Sequence, residues 1–83
     1  MKEQQVGIVT HYFGGVGVAG VTLTGKVRVG DTLRFHGHTT DFSQTLESMQ
    51  IEHETVEKAK AKDDVGIRVS DRVRVNDKVY LVE

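Results

Sequence analysis

The side chains able to do chemistry fall in three places along the chain. His36 and His38 flank Gly37, and Thr39, Thr40 and Asp41 follow directly. Two histidines at i and i+2 on a strand point the same way, so they have the geometry to share a metal ion. No third and fourth ligand stands out beside them. Asp41 next to two hydroxyls, with no orienting partner for a nucleophile, reads more simply as a capped turn. The second place is Gly15-Val16-Gly17-Val18-Ala19-Gly20, which fits G-x-G-x-x-G. That pattern binds a dinucleotide when a helix follows and its N-terminus meets the pyrophosphate. Here the β-branched run VTLTGKV follows instead. The overlapping Gly20–Lys26 (GVTLTGK) approaches a phosphate-binding loop, but Val27 stands where Ser or Thr would hold magnesium. Both nucleotide readings fail, and the chain is expected to be no enzyme and to carry no cofactor and no metal.

The third place is set by charge. Between Asp41 and Glu57 there are five acids and no Lys or Arg, whereas Lys58 to Lys78 holds seven basic residues against four acids. Lys58, Lys60, Lys62, Arg68, Arg72 and Arg74 can gather into a basic rim of the kind that meets phosphate backbones. The competing reading is charge scattered over a solvated surface. Aromatic groups able to stack are few, and Phe42 is the one in the His38–Ser43 loop.

These residues need a frame, and 83 residues allow one domain over 1–83 with a modest core. There is no cysteine, so neither a disulfide nor a thiolate site supports it. That agrees with a cytoplasmic setting. The net charge of −1 supplies no global field for nucleic acid. No apolar run approaches the roughly 20 residues of a membrane span, and MKEQQVGIV is not a signal peptide.

The frame is written twice. Val27–Phe35 reads VRVGDTLRF and Val73–Leu81 reads VRVNDKVYL. Each is an extended arm, a turn residue suited to positive φ (Gly30, Asn76), then a strand. Val6–Tyr12 and Val16–Thr24 alternate as strands around Gly14-Gly15. Gln44–His53 reads as a long strand whose apolar phase shifts between Leu46 and Met49, as at a bulge. Thr55–Lys62 alone has helix-forming composition, enough for a turn or short helix. Val65–Val69 and Lys78–Val82 complete six or slightly more strands. Closure into a small antiparallel barrel would remove their edges.

With the arm, the preceding GVTLTGKV and the later DDVGIRV in view, the chain resembles domain 2 of the translational GTPases. That domain is the β-barrel after the GTP-binding domain in elongation factor Tu and initiation factor 2. The family's G-x-V leading to V-x-V-G-D is matched at Gly25–Asp31, and its A-G-E/D-x-V-G at Ala61–Gly66, with Lys62 in place of Gly. The second turn is Asn76-Asp77, where the family has Gly then Asp or Gln. The resemblance implies a closed six-stranded barrel acting as a free-standing, non-catalytic binding module. It would contact RNA, the ribosome or a translation-related protein. Met49-Gln50-Ile51 falls where the family places an acid between two apolar residues at the tRNA acceptor end. The residues expected to carry binding are His38, Thr39, Thr40, Asp41, Phe42, Gln50, His53, Arg68, Arg72 and Arg74. The alternative is an accessory module that docks on an enzyme or GTPase, and a related barrel does occur as a C-terminal accessory module of some bacterial peptidases.

Overall fold

A computed structural model describes residues 3–83. Ten strands follow one another: β1 (Glu3–Phe13), β2 (Val18–Leu23), β3 (Val27–Arg28), β4 (Thr32–His36), β5 (Asp41–Thr45), β6 (Met49–Ile51), β7 (Glu54–Val56), β8 (Lys58–Ala59), β9 (Asp64–Arg68) and β10 (Lys78–Val82). Among the described residues there is no helix, and so none long and apolar enough to cross a membrane.

The all-β expectation holds, but the closed six-stranded barrel does not. Eight strands form an antiparallel sheet in the order β5-β4-β10-β1-β2-β9-β6-β7, and β3 pairs with β8 as a separate ribbon. The edges survive because the stretch 44–53 is not one strand. It breaks at 46–48, where Leu46 and Met49 both turn inward, so β5 and β6 end up far apart in the sheet. The phase shift there is a break rather than a bulge. Thr55–Lys62 is likewise not helical. Thr55 and Val56 complete a ladder to β6, and Ala59 is drawn into the core beside Val27. Tertiary pairing overrides a weak local preference. In β1, irregularities between Gln5 and Gly7 and between Val9 and His11 break the alternation, so Val6 and Val9 are both buried.

The core is built on Phe35, Leu33, Leu23, Leu46, Met49 and Ile67, all with under 2% exposure. Full burial of one such side chain stabilises by about 1.5–3 kcal/mol. Phe42 stacks on Phe35 with ring centres 5.1 Å apart.

Gly30 and Asn76 are left-handed, with φ of 102° and 78°. Lys62, at φ 77°, makes a third corner of the same design. Each corner reads apolar, basic, apolar, left-handed residue, Asp: Val27–Asp31, Ala59–Asp63 and Val73–Asp77. In each the Asp N–H donates to the basic residue's carbonyl at 3.0–3.1 Å. The Asp carboxylate in turn accepts that residue's N–H: Arg28 to Asp31 at 2.9 Å, Lys60 to Asp63 at 3.0 Å, Arg74 to Asp77 at 2.8 Å. The left-handed residue's N–H then meets the carbonyl of a buried residue (Leu46, Leu23 or Val9), whose own N–H donates to the Asp carbonyl, all at 2.7–2.9 Å. The corners feed β4, β9 and β10. Each corner thus ties its Asp and its left-handed residue to the buried core, while its three middle residues stay exposed.

Candidate docking surface

The turn between β4 and β5 presents His38 and Thr39 to solvent and buries Thr40. It is closed by the Gly37 N–H donating to the Thr40 carbonyl at 2.8 Å. Asp41 follows at the start of β5, where its Oδ1 accepts from Arg34 Nε at 2.9 Å. Arg34 reaches the other way to Glu3, at 3.1 Å from Oε2. That one guanidinium ties β1, β4 and β5 together across the intervening β10. The hydrogen bond from Arg34 holds the Asp41 carboxyl below the usual carboxylate range, and the same bond, helped by Glu3, holds Arg34 above its ordinary value.

Thr39–Phe42 form one wall of a cleft of about 290 Å³, with Asp71, Arg72 and Arg74 opposite. Six of the ten residues expected to bind a partner therefore meet. Phe42 contributes only part of its ring, because its inner face lies on Phe35. The segment carrying Arg72 is tied to the β1–β2 hairpin, for the Val69 N–H donates to the Gly17 carbonyl at 3.0 Å. At the hairpin tip Phe13 is 51% and Val16 62% exposed. His11 stacks on Phe13 at 5.0 Å. One backbone hydrogen bond thus joins the segment leading to Arg72 and Arg74 to the hairpin that exposes Phe13 and Val16.

The other expected residues lie apart. Gln50 is exposed on β6, paired with Thr55 and Gly66. His53, with φ 69°, and Glu52, with φ 50°, form the tight turn to β7. Arg68 lines a different slot, beside Gln44 and Ser70. His38 stays on the turn, exposed, and does not line the cleft beside Thr39. The basic residues do not form one rim. Lys58 and Lys60 line a third and larger concavity of about 670 Å³, with Lys26 and Arg28. Two acids of that concavity, Asp31 and Asp63, are engaged in corners. Lys26 and Arg28 escaped the sequence reading, although Arg28 and Lys60 occupy the same place in the repeated corner. Among the described residues no three His, Cys, Asp or Glu side chains cluster as metal ligands. The glycine run Gly15–Gly20 spans the hairpin turn into β2.

No family model matches the chain. It is 36% identical over 83 residues to an uncharacterized protease of Methanocaldococcus jannaschii, covering 99% of this chain and 20% of that protein. It is also 36% identical over 81 residues to a collagenase of Porphyromonas gingivalis, covering 95% of this chain and 22% of the collagenase. The chain thus spans about a fifth of the length of the curated relatives it matches. Its fold is that of the C-terminal domain of a Geobacillus thermoleovorans protein assigned to the U32 peptidases. The TM-score is 0.90 at 22% identity, over 96% of this chain and 93% of that one. The selenomethionine form of the same domain gives 0.87 at 23% identity, over 92% and 96%. These likenesses correct two expectations. The translational GTPase resemblance gives way to peptidase relatives and a peptidase domain fold. The expectation that the chain stands outside enzymes gives way too, since these relatives are named as a protease and a collagenase.

Proposed function

We propose that this chain is an accessory module of a U32-type peptidase, seating on the catalytic part of such a protein. The observation that supports this reading best is the match to one fifth of a protease, made by 99% of this chain. The fold agrees, since it is that of a C-terminal domain. The docking end is the stretch from the hairpin tip through Arg72 and Arg74 to Thr39–Phe42. Phe13 and Val16 supply apolar anchors, and the arginines supply orientation and steering.

The test mixes this chain with the Methanocaldococcus jannaschii protease from which the matching fifth has been removed. Sedimentation reads complex formation, and cleavage of denatured collagen reads activity. A one-to-one complex that is weakened by changing Phe13 and Val16 together to Ser supports the reading. Absence of a complex, or one indifferent to those changes, overturns it.

A further inference from the structure

The sheet has a gap that one side chain fills. Between Thr45 and Met49 the chain leaves the sheet, so β9 loses its β6 neighbour beyond Ile67. On one side of that stretch the Val69 N–H is paired with Gly17. The Arg68 carbonyl and the Ser70 N–H, alternating with it, are turned to the side where β5 lies and where no strand pairs with them. The Gln44 side chain on β5 reaches them instead. Its Nε2 donates to the Arg68 carbonyl at 2.7 Å, and its Oε1 accepts from the Ser70 N–H at 2.8 Å.

One carbonyl and one N–H flanking a single residue are the groups that a parallel neighbour engages through one residue's own N–H and C=O. The Gln44 amide, with one donor and one acceptor in use, is standing in for a backbone. Around it is a slot of about 380 Å³, bounded by Gln44, Thr45, Glu47 and Ser48 on one side and Arg68–Ser70 on the other. Arg68 and Ser70 are exposed and Gln44 is only half-buried, so solvent already reaches the amide.

We infer that this slot takes an extended polypeptide segment, which displaces the Gln44 amide and adds a short strand beside Val69. Strand addition of this kind draws its affinity from main-chain hydrogen bonds. An inserted strand sits about 4.8 Å from its neighbour, and its backbone groups take over the two bonds that the Gln44 amide now makes. Glu47 and Arg68, on opposite walls, bias the choice of side chains without demanding a sequence. The inference concerns a site other than the docking end and needs no catalytic partner.

The probe is the capped peptide Thr-Val-Lys-Val-Thr-Lys-Thr, titrated into the isolated chain and followed by amide NMR. A control peptide carries N-methyl groups on alternate residues, which removes backbone donors. The expected result is movement of the Gln44 side-chain NH2 signals and of the Val69 and Ser70 amides with the first peptide alone. Gln44→Ala, lacking the competing amide, is expected to bind roughly fivefold tighter. Should that variant not fold, Gln44→Glu takes its place, because its carboxylate cannot donate to the Arg68 carbonyl. Equal response to both peptides, movement confined to other residues, or no gain in affinity in the folded variant overturns the inference.

Discussion

The carboxylate of Asp77 lies directly over Gly37. A Cβ built on Gly37 would stand 2.6 Å from Asp77 Cγ, and closer still to Oδ1. Asp77 is 4% exposed and its other oxygen accepts the Arg74 N–H. The Val73–Asp77 corner is therefore wedged against the β4–β5 turn, and the two are fixed by one close approach.

Gly37→Ala is expected to destabilise the protein by about 2–3 kcal/mol. The added methyl must push the carboxylate aside, which combines overpacking with loss of the part-buried hydrogen bond that the Arg74 N–H donates to it. Urea denaturation midpoints of variant and parent check this; coincident midpoints would show that the corner yields without cost.

The corners also divide what the sequence discloses from what it hides. Gly30 and Asn76 announce left-handed turns by residue type, and both are so. Lys62 makes the same turn with no such signal, because the hydrogen bonds of Asp63 and Leu23 impose the conformation on a residue that resists it. The alternating phases were legible where they run unbroken, as in β2, whose Ala19, Val21 and Leu23 phase the fold turns inward. They were not legible in β1, where register irregularities reset the phase. Closure failed for a different reason. Which strand neighbours which depends on pairings between distant segments, and Gln44, an ordinary polar residue in sequence, gives no hint that it spans the gap. Of the candidate site, Thr39–Phe42 and Arg72/Arg74 did meet, because the corner at Val73–Asp77 folds against the β4–β5 turn.

Lys62→Gly is expected to stabilise by about 0.5–1 kcal/mol, since glycine accepts positive φ without a Cβ penalty. Asn76→Gly is expected to be neutral or slightly stabilising. Gly30→Val is expected to cost about 1–2 kcal/mol from conformation alone, because a Cβ at Gly30 meets nothing within 4 Å. Thermal melts of the three variants side by side check the ranking, and a Lys62→Gly protein less stable than its parent would contradict the shared design.

The turn at Glu52 and His53 holds two consecutive non-glycine residues at positive φ, 50° and 69°. That is the type I′ geometry which Asn-Gly satisfies best. Replacing the pair by Asn-Gly is expected to raise stability by about 1 kcal/mol and to slow amide exchange in β6 and β7. An unchanged melting temperature with unchanged exchange would mean that the native side chains relieve the strain themselves.

Arg34 and Asp41 link acid sensitivity to the docking end. Asp41 titrates below its ordinary value chiefly because Arg34 donates to it, with the charges of Arg34 and His36 acting in the same direction. A carboxylate whose folded pKa is depressed contributes stability that is fully present above its unfolded pKa of about 3.9 and disappears as pH falls through the folded value. Asp41→Asn should therefore melt lower than the parent at neutral pH. The two curves should converge as pH drops below about 4, where the parent's carboxyl takes up its proton. Asp41 is exposed, so added salt should shrink the neutral-pH difference. Melting temperatures measured between pH 2 and pH 7 at low and high salt decide the matter. A gap that persists in acid would assign the role of Asp41 to packing, leaving its charge without effect on the β4–β5 turn.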